Sequence, residues 1–287
     1  MTVPAAVVAG VPPAPATLDH LTWAARYAQS LGVELRLTHT YRNRSASRDS
    51  TIDPGMRAWT RLREIADQLR TRFPGLEVSE RLVEGSPASG LVLAGDDARV
   101  IVVGHRTRWA PIELLGGSTA ARVIGQARCP VVVVPPRASW TEPDRPIVVG
   151  VDDTRHSRRT LGHALMLAEH LGTSVRAVHC RAQLGTDSDL RTALSQLASR
   201  HPAVPVPLGE FTGRVLSALA WHAQFGFLVA VGSTAGGHLR RGLRRLLART
   251  SRPVLVVGPH VDDPRPLEMP PGLLFQLPNT TLHATRS

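Results

Sequence analysis

The residues whose types and spacing bear most on chemistry lie in "VVGHRTRWAPIELLGGSTAARVIGQARCPVVVVP", residues 102–135. Gly104, Thr107, Gly117, Ser118 and Thr119 punctuate a segment that reads as strand, loop, helix, strand. Glycine admits positive φ and lets backbone N–H groups come close to a phosphate. A hydroxyl from Ser118 or Thr119 would open the helix, whose N-terminal dipole favours an anion. Across such a crevice stand Val11 and Pro12, ending the first strand, and Thr40, ending the second. Thr107 takes the place of a second loop glycine. Pro12-Pro13 stiffens the opposite loop and brings no carboxylate.

A second constellation has the opposite defects. Asp152, Asp153 and Thr154 follow "IVVGV", so carboxylates are present. Gly232 ends "LVAVG", but Ala235 replaces the next glycine and no Gly-Ser pair remains. The stretch from Gly232 to Pro253 is five residues shorter than that from Gly104 to Pro130. "HLRRGLRRLLAR" fills the region, and Arg240 and Arg241 are the groups that would hold phosphate there. Its Leu239, Leu243, Leu246 and Leu247 fall on one side, as in an amphipathic helix with a solvated basic face. Asp152 with Asp153 would take Mg²⁺ only alongside a bound polyphosphate.

These sets are positioned by a repeated unit. "VVAGVPPAPATLDHLTWAARYAQSLGVELRLTHTY" begins at Val7, and "IVVGVDDTRHSRRTLGHALMLAEHLGTSVRAVHCR" begins at Ile147. Gly10 meets Gly150, Leu31-Gly32 meets Leu171-Gly172, and His39 meets His179. Each copy reads β-α-β-α-β-α-β-α-β. In the first, Val7 to Val11 is a strand, and a helix from about Thr17 ends at Gly32 with a left-handed cap. Glu34 to Thr40 alternates as a strand. Asp53-Pro54 opens a second helix, with Trp59, Leu62, Ile65 and Leu69 on its apolar side. Leu76 to Val83 is a third strand, and Ser86-Pro87 starts a third helix. Val100–Val103 and Val131–Val134 are continuous apolar runs, as in strands covered on both faces.

Alternating strands and helices predict α/β domains with parallel sheets, because right-handed crossovers return the chain in one direction. The boundaries read as a first unit at 1–137, a linker at 138–146, a second unit at 147–258, and a mobile tail at 259–287. The last strands, Val131–Val134 and Val254–Val257, would each leave an apolar edge. Such edges invite aggregation unless covered. They are therefore expected to pair with each other in an internal pseudo-dimer, with a further homodimer open.

Composition narrows the function. Net charge is +11, and every basic side chain other than histidine is arginine. Arginine spread over solvated faces explains this more simply than nucleic acid does, because basic blocks interleaved with stacking aromatics are absent. No apolar run spans a bilayer, and the apolar N-terminus lacks the preceding basic residues of a signal peptide. Cys129 and Cys180 lie in different halves without metal spacing, which fits buried thiols in a reducing cytoplasm. His39 and His179 end equivalent strands and read as structural, whereas His105 and His156 lie on ligand-facing loops. There is no P-loop lysine, "EGSPASG" is not a nucleophile elbow, and no His-Glu-x-x-His pair occurs.

Two tandem copies of this unit, each with remnants of Gly-x2-Gly-x9-Gly-Ser/Thr, resemble the universal stress protein family over residues 5–258. The resemblance implies a Rossmann-like sheet of order 3-2-1-4-5, dimerisation through the last strand, and an Asp at the end of the first strand in nucleotide-binding members. It implies ATP or a related adenine nucleotide as ligand and stress-linked regulation without a defined reaction. The expectation is a non-enzymatic cytoplasmic regulatory module. At most one degenerate nucleotide site would survive, in the first half. The alternatives are a nucleotide-independent interaction protein, a slow nucleotide hydrolase and a nucleic-acid binder.

Overall fold

A computed structural model describes residues 6–12, 18–42, 53–105, 119–136, 138, 140, 144–152, 154–181, 188–233 and 238–264. In the first half β1 (Val7–Val11), α1 (Asp19–Leu31), β2 (Leu35–Tyr41), α2 (Pro54–Arg72) and β3 (Val78–Glu84) are followed by α3 (Pro87–Ala94), β4 (Val100–Gly104), α4 (Thr119–Gln126) and β5 (Val131–Val134). The second half repeats the order as β6 (Ile147–Val151), α5 (Arg155–Leu171), β7 (Val175–Arg181), α6 (Ser188–Ala198) and β8 (Leu208–Thr212). It ends with α7 (Val215–Ala223), β9 (Leu228–Gly232), α8 (His238–Leu247) and β10 (Val254–Val257).

Local chemistry sets the helix ends. Gly32 and Gly172 close α1 and α5 at φ 62° and 65°, where a β-carbon would be strained. The Asp53 carboxylate accepts from Gly55 N and Pro54 takes the first turn of α2, while the Ser86 hydroxyl caps α3. On α2, Leu62, Ile65 and Leu69 are buried and Trp59 packs beside them.

The halves form one ten-stranded sheet of order β3-β2-β1-β4-β5-β10-β9-β6-β7-β8. Within each half every pairing is parallel. The seam is antiparallel, with Val254 opposite Val133, Leu255 opposite Val132 and Val256 opposite Val131. All eight residues of β5 and β10 are buried. The expected pairing of the two last strands is therefore present. Two apolar cores, one on each face, each draw residues from both halves. On one face Trp23 and Tyr27 of α1 meet Phe227 of the second half, with ring centroids 6.2 and 6.4 Å apart.

The segments that follow β5 and β10 differ from the sequence expectation. Trp140, in the expected linker, packs 5.7 Å from Trp23 and edge-on to Phe227 at 5.3 Å. The Thr173 hydroxyl bonds the carbonyls of Asp144 and Arg145. A loose tail from residue 259 does not hold for 259–264. Val261 is buried, His163 Nε2 donates to the Asp262 carbonyl at 2.9 Å, and Arg159 pairs with Asp263 at 3.2 Å. The two segments are equivalent straps: Ala138 N donates to Pro135 O as Val261 N donates to Gly258 O. Each folds back over the first helix of its own half.

Burial pushes the pKa of His105, His163, His170 and His222 below the usual histidine value. The unfolded chain protonates near ~6.5, so it binds more protons than the folded chain just below that pH. This contribution to stability is complete above ~6.5 and is lost as pH falls toward the folded values. The melting temperature is predicted to fall between about pH 7.5 and 5.5. His163→Leu should make the pH slope of unfolding free energy shallower; an unchanged slope would contradict the assignment.

Candidate functional site

In an open parallel sheet the ligand-ready crevice lies beyond the carboxyl ends of the strands where strand order reverses. Here that means β1 beside β4 in the first half and β6 beside β9 in the second. In the first crevice, the Val11 carbonyl accepts from His39 Nδ1 at 2.9 Å. In the second, the Val151 carbonyl accepts from His179 Nδ1 at 2.8 Å. Both histidines are buried, as the structural reading expected.

The strand-end glycines are close-packed against their own chain. A β-carbon on Gly104 would lie 3.0 Å from Cγ and Nδ1 of His20, and His20 Nε2 donates to the Gly10 carbonyl at 3.0 Å. His20 therefore sits between the ends of β1 and β4, inside the first crevice. Thr160 is its counterpart in the second. A β-carbon on Gly232 would lie 2.9 Å from Thr160 Oγ1 and 3.1 Å from the His156 carbonyl, which the Thr160 hydroxyl also bonds. Sequence reasoning passed over His20 and Thr160. Their alignment with each other in the two copies was the available signal.

The remaining candidates divide as follows. The Thr40 methyl packs against α3 at Gly90, where only a missing β-carbon leaves room. Thr119 is the first residue of α4. Thr107, Gly117 and Ser118 lie outside the described residues, as does Asp153. Asp152 is exposed and its Oδ1 accepts from Thr154 N at 3.0 Å and from the Thr154 hydroxyl at 2.5 Å. The Thr154 hydroxyl in turn caps α5 through Ser157 N, and the Ser157 hydroxyl accepts from Asp152 N. One carboxylate oxygen is thus committed to a turn that starts the helix. Arg240 and Arg241 fall within α8, and their side chains lie outside the described residues.

Cys129 is buried, and burial pushes its thiol up to about 12, so it stays protonated. Burial also raises Cys180. Among the described residues no cluster of three or more His, Cys, Asp or Glu is placed to hold a metal ion. No helix among them is long and apolar enough to cross a membrane.

The sequence profile of the universal stress protein family matches residues 6–135. Universal stress protein Rv2028c of Mycobacterium tuberculosis is 26% identical over 267 residues, covering 83% of this chain and 89% of its own length. A universal stress protein from Archaeoglobus fulgidus has the same fold, with a TM-score of 0.70 over 88% of this chain and 96% of its own, at 18% identity. A universal stress protein solved in complex with cAMP covers 46% of this chain at 24% identity and a TM-score of 0.37, too low to carry its ligand across. The first half, residues 6–135, thus carries the universal stress protein profile, and the second half repeats the same unit within one sheet.

The two glycines make a contrast that a stability measurement can read. Gly104→Ala is predicted to cost about 1–2 kcal/mol by crowding the His20 ring. The cost should shrink in a His20→Ala background, because the crowded atoms are then gone. Gly232→Ala should cost more than Gly104→Ala and be only partly relieved by Thr160→Ala, since the His156 carbonyl remains 3.1 Å away. Additive effects in the first pair, measured by urea unfolding, would contradict the packing account.

Proposed function

We propose that this chain is a non-catalytic regulatory module that works through protein contact, with adenine-nucleotide affinity weak and confined to the first half. The reading rests first on His20. Its imidazole occupies the space between the ends of β1 and β4 and leans on the glycine a phosphate loop would start from. Pro12 adds to this, since it brings no carboxylate to the ribose side of that crevice. In the second half the loop is shortened, Asp152 is tied into the α5 turn, and Gly232 is taken up by Thr160 and His156.

A nucleotide-independent interaction protein is the second reading. It is favoured by the fact that both strand-end glycines already have a packing role. Hydrolysis is not part of either reading; among the described residues no cluster of three or more His, Cys, Asp or Glu could hold a metal ion. Cytoplasmic residence fits two free thiols.

Thermal shift with ATP, AMP or cAMP, with and without Mg²⁺, tests the proposal. A ligand that binds only the native state stabilises it by RT ln(1 + [L]/Kd), about 0.4 kcal/mol when ligand equals Kd. The expected result is a shift that emerges only at millimolar nucleotide, with a stoichiometry of one by calorimetry. No shift at all would favour the nucleotide-independent reading. Micromolar binding at two sites, or phosphate release during incubation, would overturn both.

A further inference from the structure

The duplication supplies an internal control for one surface. Arg36 on β2 and Arg176 on β7 are equivalent, each opposite a valine of the neighbouring strand, Val8 and Val148. In the first half Arg36 is neutralised. Its Nη1 bonds Asp97 Oδ1 at 2.7 Å, its Nη2 faces Glu34 at 3.6 Å, and it also reaches the Ala94 carbonyl.

In the second half both carboxylate partners have changed. Ala98 N donates to Gly95 O as Gly226 N donates to Ala223 O, and Arg99 N to Ala6 O as Phe227 N to Pro146 O. In that register Phe225 stands where Asp97 stood, His222 where Ala94 stood, and Trp221 where Leu93 stood. Ser174 replaces Glu34. Arg176 is exposed, and among the described residues no carboxylate pairs with it.

The replacements make a continuous aromatic surface. Phe211 packs on His222 at 4.8 Å, His222 on Trp221 at 4.7 Å and Trp221 on Phe225 at 5.3 Å. Trp221 is 56% and Phe225 52% exposed, beside a buried His222 whose two ring nitrogens have no partner. Arg249 and Arg252 border the patch and, among the described residues, bond neutral groups, Ser217 Oγ and the Gln224 carbonyl. No Asp or Glu occurs between Glu210 and Asp262, a stretch with seven arginines. Exposed Trp and Phe among arginines, with acids depleted, is the composition of an interface centre.

We infer that the outer face of α7 docks an acidic, apolar protein segment, whose carboxylate binds Arg176 as Asp97 binds Arg36 and whose apolar side chain seats on Trp221 and Phe225. The first half shows that this arginine position holds a carboxylate in its fold context. The charge of the stretch calls for an acidic partner. A run of stacked bases fits less well, because the Trp221 and Phe225 rings meet at 65° and cannot both lie flat along one strand. The surface supplies the contact that the regulatory reading needs. Its failure would leave that reading standing, because nucleotide binding does not involve α7.

The test uses the full chain and a fluorescein-labelled peptide of Asp, Glu, Leu and Phe, followed by polarisation. Arg176→Glu and Trp221→Ala alter exposed side chains, and unchanged melting would certify their fold. Each is expected to weaken binding about tenfold or more. Arg63→Glu, with the same charge change on α2, and Leu93→Ala, the counterpart of Trp221, should stay within about twofold. A peptide with Asn and Gln in place of the acids should not bind. Equal loss in all four variants would reduce the effect to general basic attraction and overturn the inference. So would absence of peptide binding, tighter binding of oligo-dT lost in the same two variants, or a Trp221-dependent dimer in sedimentation.

Discussion

The antiparallel pairing of β5 with β10 is the constraint on which the molecule depends. Each half, taken alone, would end in four consecutive buried apolar residues with an unpaired backbone edge. Joined, the edges vanish, and the sheet is bounded only by β3 and β8. Those outer strands carry Ser79, Glu80, Arg81, Glu84 and Glu210, Thr212, which suit an edge exposed to water. The seam also merges the cores. Trp23 and Tyr27 from the first half reach Phe227 from the second, and the Trp140 strap closes over them. α5 also packs against α1 across the two halves. Independent motion of the halves would break contacts on both faces.

Within this frame the duplicated halves have specialised by substitution at matched positions. His20 and Thr160 fill the same corner with different groups, and each uses the glycine opposite it. The Arg36 cluster is closed by its own carboxylates, while the Arg176 cluster is open and aromatic. The strand-end glycines Gly104 and Gly232, which would start a phosphate loop, thus have a packing explanation that holds without ligand. The regulatory function proposed for the chain moves attention from the crevices to the outer surface of the second half.

The architecture was legible because its signals are local and periodic. Gly32 and Gly172, Asp53-Pro54, Ser86-Pro87 and the valine runs each mark an element by backbone chemistry. The seam followed from asking what could cover two valine edges. The straps were not legible, because the sequence of 135–146 and 258–264 has no period, and the contacts of Trp140, Asp262 and Asp263 are with residues distant in sequence. The contact of His20 with Gly104 joins positions far apart in sequence, and only the strand order brings them together. The change from Asp97 to Phe225 becomes visible only once backbone bonds fix the register of the two copies.

Native-state hydrogen exchange across the seam tests the coupling of the halves most directly. The amides that bond Val131–Val133 to Val254–Val256 should exchange only by global unfolding, with the same free energy and denaturant dependence as those of β1 and β6. Seam amides that open at distinctly lower free energy, while β1 and β6 stay protected, would show two separately stable domains that merely touch.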